Sequence, residues 1–235
     1  MKNRLRPPFW THDAYPLRQL AKHLTPTVAS SFGSLAGETV VDFGCGDSPY
    51  QALFERHAIR YLDCDLPGSN ASVIFEPGQP LPVETGSAAG VVSFQVLEHV
   101  WDLEWYLGEA HRMLKANGRL VLSTHGVWPY HPHPGDFRRW TRTGLVKEIA
   151  SHGFTVEEPI AMVGPLAWTM LFQCMALGAM IRKIPLLGGV LADALAVVSY
   201  PFLVLGDRMT PAQWRKDNSA IYLVVATKKE HDDSL

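Results

Sequence analysis

This chain has few cysteines and almost no net charge. Its 235 residues include three cysteines, Cys45, Cys64 and Cys174, and their spacing matches neither a zinc site nor a disulfide framework. The 21 basic and 23 acidic residues give a net charge of -2, which argues against a nucleic-acid partner. Between Met1 and Trp10 there is no apolar run of signal-peptide length. We therefore expect a protein of a reducing, cytoplasmic compartment.

Internal repeats and low-complexity segments are also absent. A composition of 47% hydrophobic and 19% charged residues is ordinary for a globular protein. A chain of 235 residues can bury one sizeable core and is short for two. We therefore expect a single domain over residues 1–235.

A strand followed at once by a glycine turn is the most informative local pattern. Residues 40–43 read as a short strand buried on both faces, and Gly44-Cys45-Gly46 follows directly. Glycine allows a sharp turn and a close approach of ligand, and Pro49 suits the first turn of a helix beginning near Ser48. Strand, turn and helix build the ligand site of open α/β sheets. Because Pro49 occupies the third position of G-x-G-x-x-G, a nicotinamide-dependent oxidoreductase is disfavoured.

A second predicted strand, Arg60–Leu66, ends in acidic residues. Asp65 lies about twenty residues beyond the glycine turn, the spacing that places a carboxylate beside the ribose hydroxyls of a bound nucleoside. Asp63 points the same way along the strand and competes for this role. A solvated turn aspartate before Pro67 is the structural alternative.

Helical and strand patterns alternate along the chain, which favours a parallel sheet with right-handed crossovers. The further predicted elements are helices at Asp13–Leu24, Tyr50–His57 and Asp102–Leu114, and strands at Val73–Phe75, Gly90–Gln95 and Arg119–Thr124. The first helix either covers the sheet or closes over a small-molecule site as a lid.

Several segments between residues 35 and 158 together resemble the class I S-adenosylmethionine-dependent methyltransferases of the type 11 branch. In chain order they are residues 40–46, Asp65, Leu81-Pro82, Val96–Val100 and Arg112–Leu120. The resemblance implies an α/β, Rossmann-like fold with a seven-stranded, mostly parallel sheet and helices on both faces. Its last strand would be antiparallel and lie beside the fifth. Phe154–Glu157 suits the sixth strand and Ser219–Thr227 the last.

The resemblance also implies S-adenosylmethionine as the cofactor and assigns its contacts. The implied cofactor-binding residues are Asp42, Gly44, Cys45, Gly46, Asp65, Leu66, Leu81, Gln95 and Val96. The glycine turn would lie against the methionine part, Asp42 would help to hold its amino group, and Gln95 and Val96 would line that end.

At the adenosine end, Asp65 would accept the ribose hydroxyls and Leu66 would pack on adenine. One departure from the family concerns adenine recognition. Phe75–Gln79 replaces the usual acidic pattern near the third strand, so that Glu76 is a weak candidate and backbone groups near Leu81 are an alternative.

A histidine-rich stretch, Thr124–Thr141, follows the fifth strand and has three interpretations. As a metal site it offers histidines and Asp136, but the prolines constrain their convergence and no H-x-x-x-H lies on one helix, so we expect no metal. As a structural loop, Asp136 would pair with Arg139 and cap a helix beginning near Thr141. As a substrate loop, it would supply catalytic groups.

The substrate-loop interpretation names His131, His133, Asp136 and Arg139 as the candidate catalytic residues. A histidine or Asp136 would act as general base on a hydroxyl, and Arg139 would hold an anionic group. The string His131–Thr141 also resembles a subset of bacterial type 11 enzymes, many of them encoded among genes for envelope products. We expect methyl transfer to a hydroxyl or carboxyl oxygen of a small molecule, such as an envelope sugar or lipid-linked intermediate. The alternative is an inactive cofactor-binding or scaffold protein.

An apolar segment of unusual length, residues 159–214, separates the sixth and last strands. Two buried helices forming a substrate cap or a dimer face are the first interpretation. Peripheral membrane contact, with Arg182-Lys183 at the headgroups, is the second. A membrane span is the third, opposed by Gly188-Gly189 and Pro201. A cap of this kind would favour an apolar or lipid-linked acceptor.

Overall fold

The computed structural model describes residues 4–229. One sheet carries every strand, in the order β3-β2-β1-β4-β5-β8-β6, with β7 also paired to β8. The strands are β1 (Thr39–Phe43), β2 (Arg60–Asp65), β3 (Val73–Ile74), β4 (Ala88–Phe94), β5 (Leu114–His125), β6 (Phe154–Val156), β7 (Ile160–Met162) and β8 (Ile221–Lys228). The first five strands are parallel to one another, and β8 is antiparallel to β5, β6 and β7.

The predicted Rossmann-like sheet is therefore confirmed, including an antiparallel last strand beside the fifth. The predicted sixth strand corresponds to β6, but the sheet has eight strands within residues 4–229 instead of seven. The additional strand, β7, begins the segment that was expected to be a helical insertion. Glu157, Glu158 and Pro159 separate it from β6, and a proline has no backbone N–H to give to a ladder. Both strands pair with β8.

Seven α-helices surround the sheet within residues 4–229. They are α1 (Ala14–Phe32), α2 (Gln51–Glu55), α3 (Leu103–Met113), α4 (Arg142–Ser151), α5 (Pro165–Ile181), α6 (Gly188–Met209) and α7 (Ala212–Asp217). Asp102 caps α3 by accepting from the backbone nitrogen of Trp105 at 3.0 Å. The expectation that Pro49 opens a helix is wrong: α2 begins at Gln51, and Ser48 has a φ of +49° that no helix accommodates.

Two apolar layers enclose the sheet, one on each face. Val40 points into the layer that holds α1, whereas Val41 points into the layer that holds α3. On the α3 side the ring of Phe43 stacks on Tyr106 at 4.0 Å. Burial on both faces explains the apolar residues Val40, Val41 and Phe43 of β1, which only Asp42 interrupts.

The α5–α6 hairpin (residues 165–209) forms most of the predicted apolar insertion, but its helices are not buried. Most of the exposed large apolar side chains of residues 4–229 lie on it: Leu166, Leu177, Met180, Ile184, Leu186, Leu187, Val190, Leu191, Val197, Val198, Phe202, Leu205 and Met209. By length and composition alone, α6 could cross a membrane, and 22% of its apolar stretch is buried. At the tip, Arg182 pairs with Asp193 at 2.5 Å.

Candidate functional site

A cleft of about 1060 Å³ opens at the carboxyl ends of the parallel strands. The segments that follow the first five strands form its walls, and the start of α1 contributes the preceding Asp13 and its own Pro16, Leu17 and Leu20. This is the edge at which open α/β sheets bind ligands. None of residues 159–214 lines it, so the hairpin does not cap the cleft directly.

The turn after β1 brings the backbone close to the segment that follows β4. Gly44 has a φ of +89°, and a Cβ at this position would lie 2.8 Å from the side chain of Val96. Gly46 has a φ of +57° and nothing within 4 Å of such a Cβ, so its surface is open to the cleft. Both glycines are needed for backbone conformation, and only the first also for close packing.

Asp42 lies beneath this turn and is 1% exposed. Its Oδ2 accepts a hydrogen bond from the hydroxyl of Tyr61, while Oδ1 is buried with no hydrogen-bond partner. Burial raises the pKa of Asp42 to about 7, against the lowering effect of the Tyr61 hydrogen bond. An unpartnered carboxylate oxygen on the cleft wall suits an ammonium group of a ligand.

Asp65 is held at the end of β2 by two backbone groups. Its Oδ2 accepts from the nitrogen of Gly46 at 2.5 Å, and its Oδ1 accepts from the nitrogen of Leu66 at 2.7 Å. Asp63, the competitor, instead accepts from the nitrogen of Ser72 at 3.1 Å and does not line the cleft. Of the two carboxylates, only Asp65 is in position to meet a bound nucleoside.

All the expected cofactor-binding residues line the cleft except Leu81. The side chain of Leu81 is buried in the core, and its backbone nitrogen donates to Glu109 at 2.8 Å. Its carbonyl oxygen accepts from Arg112 at 3.1 Å. These groups tie the proline-rich loop to α3, which removes them from adenine recognition. The residues that do line the cleft are Asp42, Gly44, Cys45, Gly46, Asp65, Leu66, Gln95 and Val96.

Four histidines line the same cleft beyond Gln95 and Val96, at what we call the acceptor end: His99, His125, His131 and His133. The ring of His131 lies centrally, with centroid distances of 4.9 Å to His99, 4.9 Å to His125 and 6.2 Å to His133. Burial, reinforced by the neighbouring histidines, lowers the pKa of His131 to about 4. Its imidazole is therefore neutral at physiological pH.

A carboxylate without solvent exposure lies under these rings. Oε1 of Glu98 is 2.7 Å from Nδ1 of His125, and Oε2 accepts from the hydroxyl of Thr124 at 2.8 Å. Burial alone would raise the pKa of Glu98, but the contacts with His125 and Thr124 outweigh it and hold this pKa below its usual range. Trp128 stacks on His125 at 4.6 Å.

Asp136 and Arg139 pair with each other, as the structural-loop interpretation predicts, and neither lines the cleft. Arg139 reaches the two carboxylate oxygens at 2.5 and 2.6 Å, and donates to the carbonyl of Trp128 at 2.9 Å. The predicted helix cap is wrong, since Thr141 caps α4 by accepting from Gly144 at 3.1 Å. In the structure, Asp136 and Arg139 therefore do not face the cleft as the catalytic interpretation requires. Their ion pair stabilises the loop that carries His131.

Four residues of the acceptor end were not among the expected site residues: Glu98, His99, His125 and Trp128. Glu98 and His99 belong to a short 3-10 turn, Leu97–His99, that directly follows β4. The only signal was their place in the segment Val96–Val100, which assigns them no role. Trp128 gave no signal, because its ring is fixed by tertiary packing on His125.

Comparison with known sequences gives a family match over most of the chain. The profile of the family described as "Methyltransferase domain" matches residues 9–158. A "probable S-adenosylmethionine-dependent methyltransferase" of Mycolicibacterium smegmatis is 27% identical over 143 residues, covering 54% of this chain and 56% of the relative. A protein of the same description in Mycobacterium tuberculosis H37Rv is 38% identical over 52 residues, or 22% of this chain and 19% of the relative. The first match thus spans about half the relative's length.

Solved structures share the fold at low sequence identity. Phosphoethanolamine N-methyltransferase 2 of Haemonchus contortus with S-adenosylmethionine has a TM-score of 0.56 at 14% identity, covering 88% of this chain and 53% of that one. Geranyl diphosphate C-methyltransferase of Streptomyces coelicolor has a TM-score of 0.53 at 15% identity, covering 91% and 82%. The [4+2]-cyclase SpnF reaches 0.58 at 18% identity, covering 91% and 82%. One fold therefore hosts several reactions.

Proposed function

The chain belongs to the methyltransferase-domain family of S-adenosylmethionine-dependent enzymes, and from this premise we propose that it methylates an oxygen atom of a small-molecule acceptor. The observation that carries the proposal is the cleft, which joins a nucleoside-type end at Asp65 to a histidine-lined end. When bound, S-adenosylmethionine supplies an activated methyl group on a sulfonium, so the protein mainly needs to align the acceptor.

The residues of the first half of the cleft fit this cofactor. The buried, unpartnered Oδ1 of Asp42 would hold the amino group of the methionine part. Oδ1 of Asp65 keeps a free lone pair beyond its hydrogen bond to Leu66, and this would accept one ribose hydroxyl. Oδ2 accepts from Gly46 and, weakly at 3.9 Å, from the thiol of Cys45, and the second hydroxyl would replace the thiol. The open face of Gly46 leaves room for the ligand next to the backbone. Gln95 and Val96 would separate the cofactor from the acceptor.

The histidines of the acceptor end supply groups for an oxygen acceptor. His131, neutral because of its lowered pKa, can accept a hydrogen bond from a hydroxyl but holds a proton only weakly. That favours His133, which lines the cleft in an exposed position, as the group that takes the proton during transfer. Asp136 and Arg139 act indirectly, because their ion pair fixes the loop from which both histidines project.

The test is calorimetric titration of the full chain with S-adenosylmethionine and with S-adenosylhomocysteine. We expect both to bind, and Asp65→Ala to weaken both by at least about 100-fold, because two hydrogen bonds to a charged group contribute about 1.5–3 kcal/mol each. Asp63→Ala is the matched control, because this carboxylate lies on the same strand but does not line the cleft. Equal losses in the two variants, or no binding by the wild type, would overturn the assignment.

The α5–α6 hairpin supports an apolar or lipid-linked acceptor and a position at the cytoplasmic face of a membrane. Leu186 and Leu187 are exposed at its tip, next to Lys183 and the paired Arg182. Apolar side chains beside basic ones suit an anionic lipid surface. Phe172 of α5 packs against Trp128 of the cleft at 5.6 Å, which joins the hairpin to the acceptor end.

Vesicle flotation tests this part. We expect the full chain to float with vesicles of phosphatidylcholine and phosphatidylglycerol, and Leu186→Glu/Leu187→Glu to stay in solution. Trp214→Glu, exposed but outside the hairpin, is the control. A concentration-dependent dimer that the double variant abolishes, without flotation of the wild type, would instead identify a dimer face.

A further inference from the structure

Three side chains of metal-ligand type converge at the acceptor end. One potential ligand atom from each of Glu98, His99 and His131 lies within 4.8 Å of the others. Across residues 4–229, no other group of three histidine, cysteine, aspartate or glutamate side chains comes together in this way. The three come from the turn after β4 and from the loop after β5.

His99 is already oriented as a ligand. Its Nδ1 lies 2.5 Å from the carbonyl oxygen of Gly135, an acceptor, so the proton belongs on Nδ1 and the lone pair on Nε2. That lone pair is on the side of Glu98, with Nε2 4.0 Å from Oε1. Histidines that bind metal ions generally donate their other nitrogen to a carbonyl or carboxylate in this manner.

Buried polar atoms in the cluster lack hydrogen bonds. Oε1 of the fully buried Glu98 and Nδ1 of His125 are 2.7 Å apart, yet neither has a hydrogen-bond partner of acceptable geometry. Nδ1 of His131 is likewise buried and without a hydrogen bond, although Oδ2 of Asp136 lies 3.5 Å from it. A buried carboxylate is costly unless a cation or good donors compensate it.

We propose that Glu98, His99 and His131 bind one divalent transition-metal ion, for which Zn²⁺ is the best-suited occupant. Two imidazoles and one carboxylate form a donor set typical of catalytic zinc, in which a remaining position is open to water or substrate. Zinc ligands at 2.0–2.2 Å from the ion lie about 3.4 Å apart. The three side chains must therefore close by roughly an ångström, which small rotations of both imidazole side chains toward Glu98 would supply.

This inference rests on the proposed function and makes it more specific. An acceptor hydroxyl bound at the open position would ionise more readily, because a metal ion lowers the pKa of an oxygen that it binds. The proton would pass to His133, and the oxygen would form a bond to the methyl carbon as the carbon–sulfur bond breaks. S-adenosylhomocysteine leaves as a neutral thioether. The acceptors favoured are hydroxyls able to bind a metal ion, such as those of a sugar.

The experiment is titration of the chelator-treated full chain with Co²⁺, followed by its visible absorption, and with Zn²⁺ by calorimetry. We expect one equivalent of either ion to bind, with intense absorption typical of a low-coordinate Co²⁺ site. His99→Ala and His131→Ala should each weaken binding at least tenfold. His133→Ala, from the same cleft but outside the donor set, should bind as the wild type does. Circular dichroism of each variant identifies loss of fold.

Failure of this inference is separable from failure of the proposed function. Titration of the same samples with S-adenosylhomocysteine reports the cofactor end, which shares no residue with the donor set. Cofactor binding without metal binding, or metal binding that His99→Ala and His131→Ala leave unchanged, overturns the metal site alone. Metal binding without cofactor binding overturns the methyltransferase proposal and leaves the ion site standing.

Discussion

The hydroxyl of Tyr15 donates a hydrogen bond of 2.7 Å to Oδ2 of Asp207, 192 residues further along the chain. The other oxygen of Asp207 accepts from the backbone nitrogen of Gly164 at 2.7 Å. Both side chains are buried. One carboxylate therefore joins α1, whose N-terminal half lines the cleft, to both ends of the α5–α6 hairpin.

We expect Tyr15→Phe to lower the free energy of unfolding by about 1–3 kcal/mol, because it leaves a buried carboxylate oxygen short of a donor. Urea denaturation measures this. Tyr200→Phe is the control, since that ring packs on Tyr15 at 5.8 Å and the variant keeps the Tyr15–Asp207 hydrogen bond. Equal stability of Tyr15→Phe and the wild type would show that the link contributes nothing.

Cofactor affinity should depend on pH through Asp42. Its pKa of about 7 means that the carboxylate is protonated in a growing fraction of the free protein as pH falls, and only the ionised form can pair with an ammonium. We expect the Kd for S-adenosylmethionine to rise about tenfold between pH 8 and pH 6. In Asp42→Asn the affinity should be weak at both pH values. A pH-independent Kd in the wild type would contradict the role of Asp42.

Gly44→Ala should abolish cofactor binding or destabilise the fold by several kcal/mol. The added methyl group would lie 2.8 Å from Val96, and alanine is also strained at the positive φ of this position. Gly37→Ala separates the two effects. Its φ is +81°, but nothing lies within 4 Å of the added carbon, so only the strain of about 1 kcal/mol applies. Thermal unfolding and cofactor titration of both variants give the comparison, and similar behaviour of the two would refute the packing argument.

The Asp136–Arg139 pair should stabilise the loop in a pH-dependent way. Arg139 holds the pKa of Asp136 well below its usual range. The stabilisation is therefore present above the unfolded-state pKa of about 3.9 and is lost as pH falls below it. We expect Asp136→Asn to unfold at lower temperature than the wild type at pH 7, with a smaller difference near pH 3. A constant difference across this range would mean that the ion pair is not its source.

The cofactor end was largely predictable because its residues are dictated by local chain geometry. The positive φ at Gly44 requires glycine, and the acid that ends β2, Asp65, lies at a fixed number of residues beyond the glycine turn. Both features can be recognised from the order and spacing of residues. The position of Leu81 cannot, because Glu109 and Arg112 of α3 hold its loop through tertiary hydrogen bonds.

The acceptor end could not be predicted in the same way. The prolines around His131 and His133 suggested that convergence of these rings is constrained, yet both line the cleft, in a loop that the ion pair of Asp136 and Arg139 stabilises. Glu98 meets His131 only because β4 and β5 are neighbours in the sheet. Periodicity identifies strands, but it does not say which side chains of two connecting loops will touch.

Both margins of the sheet are unsuited to further strand pairing. One ends on β3, which has two residues, and the other on β6 and β7, which Glu157, Glu158 and Pro159 separate. Short, charged and proline-interrupted edges give an incoming strand no template. Cross-β aggregation at this sheet is therefore disfavoured even at high protein concentration. Any self-association of the folded chain would have to proceed through helices, and crowding on a lipid surface would not recruit the sheet.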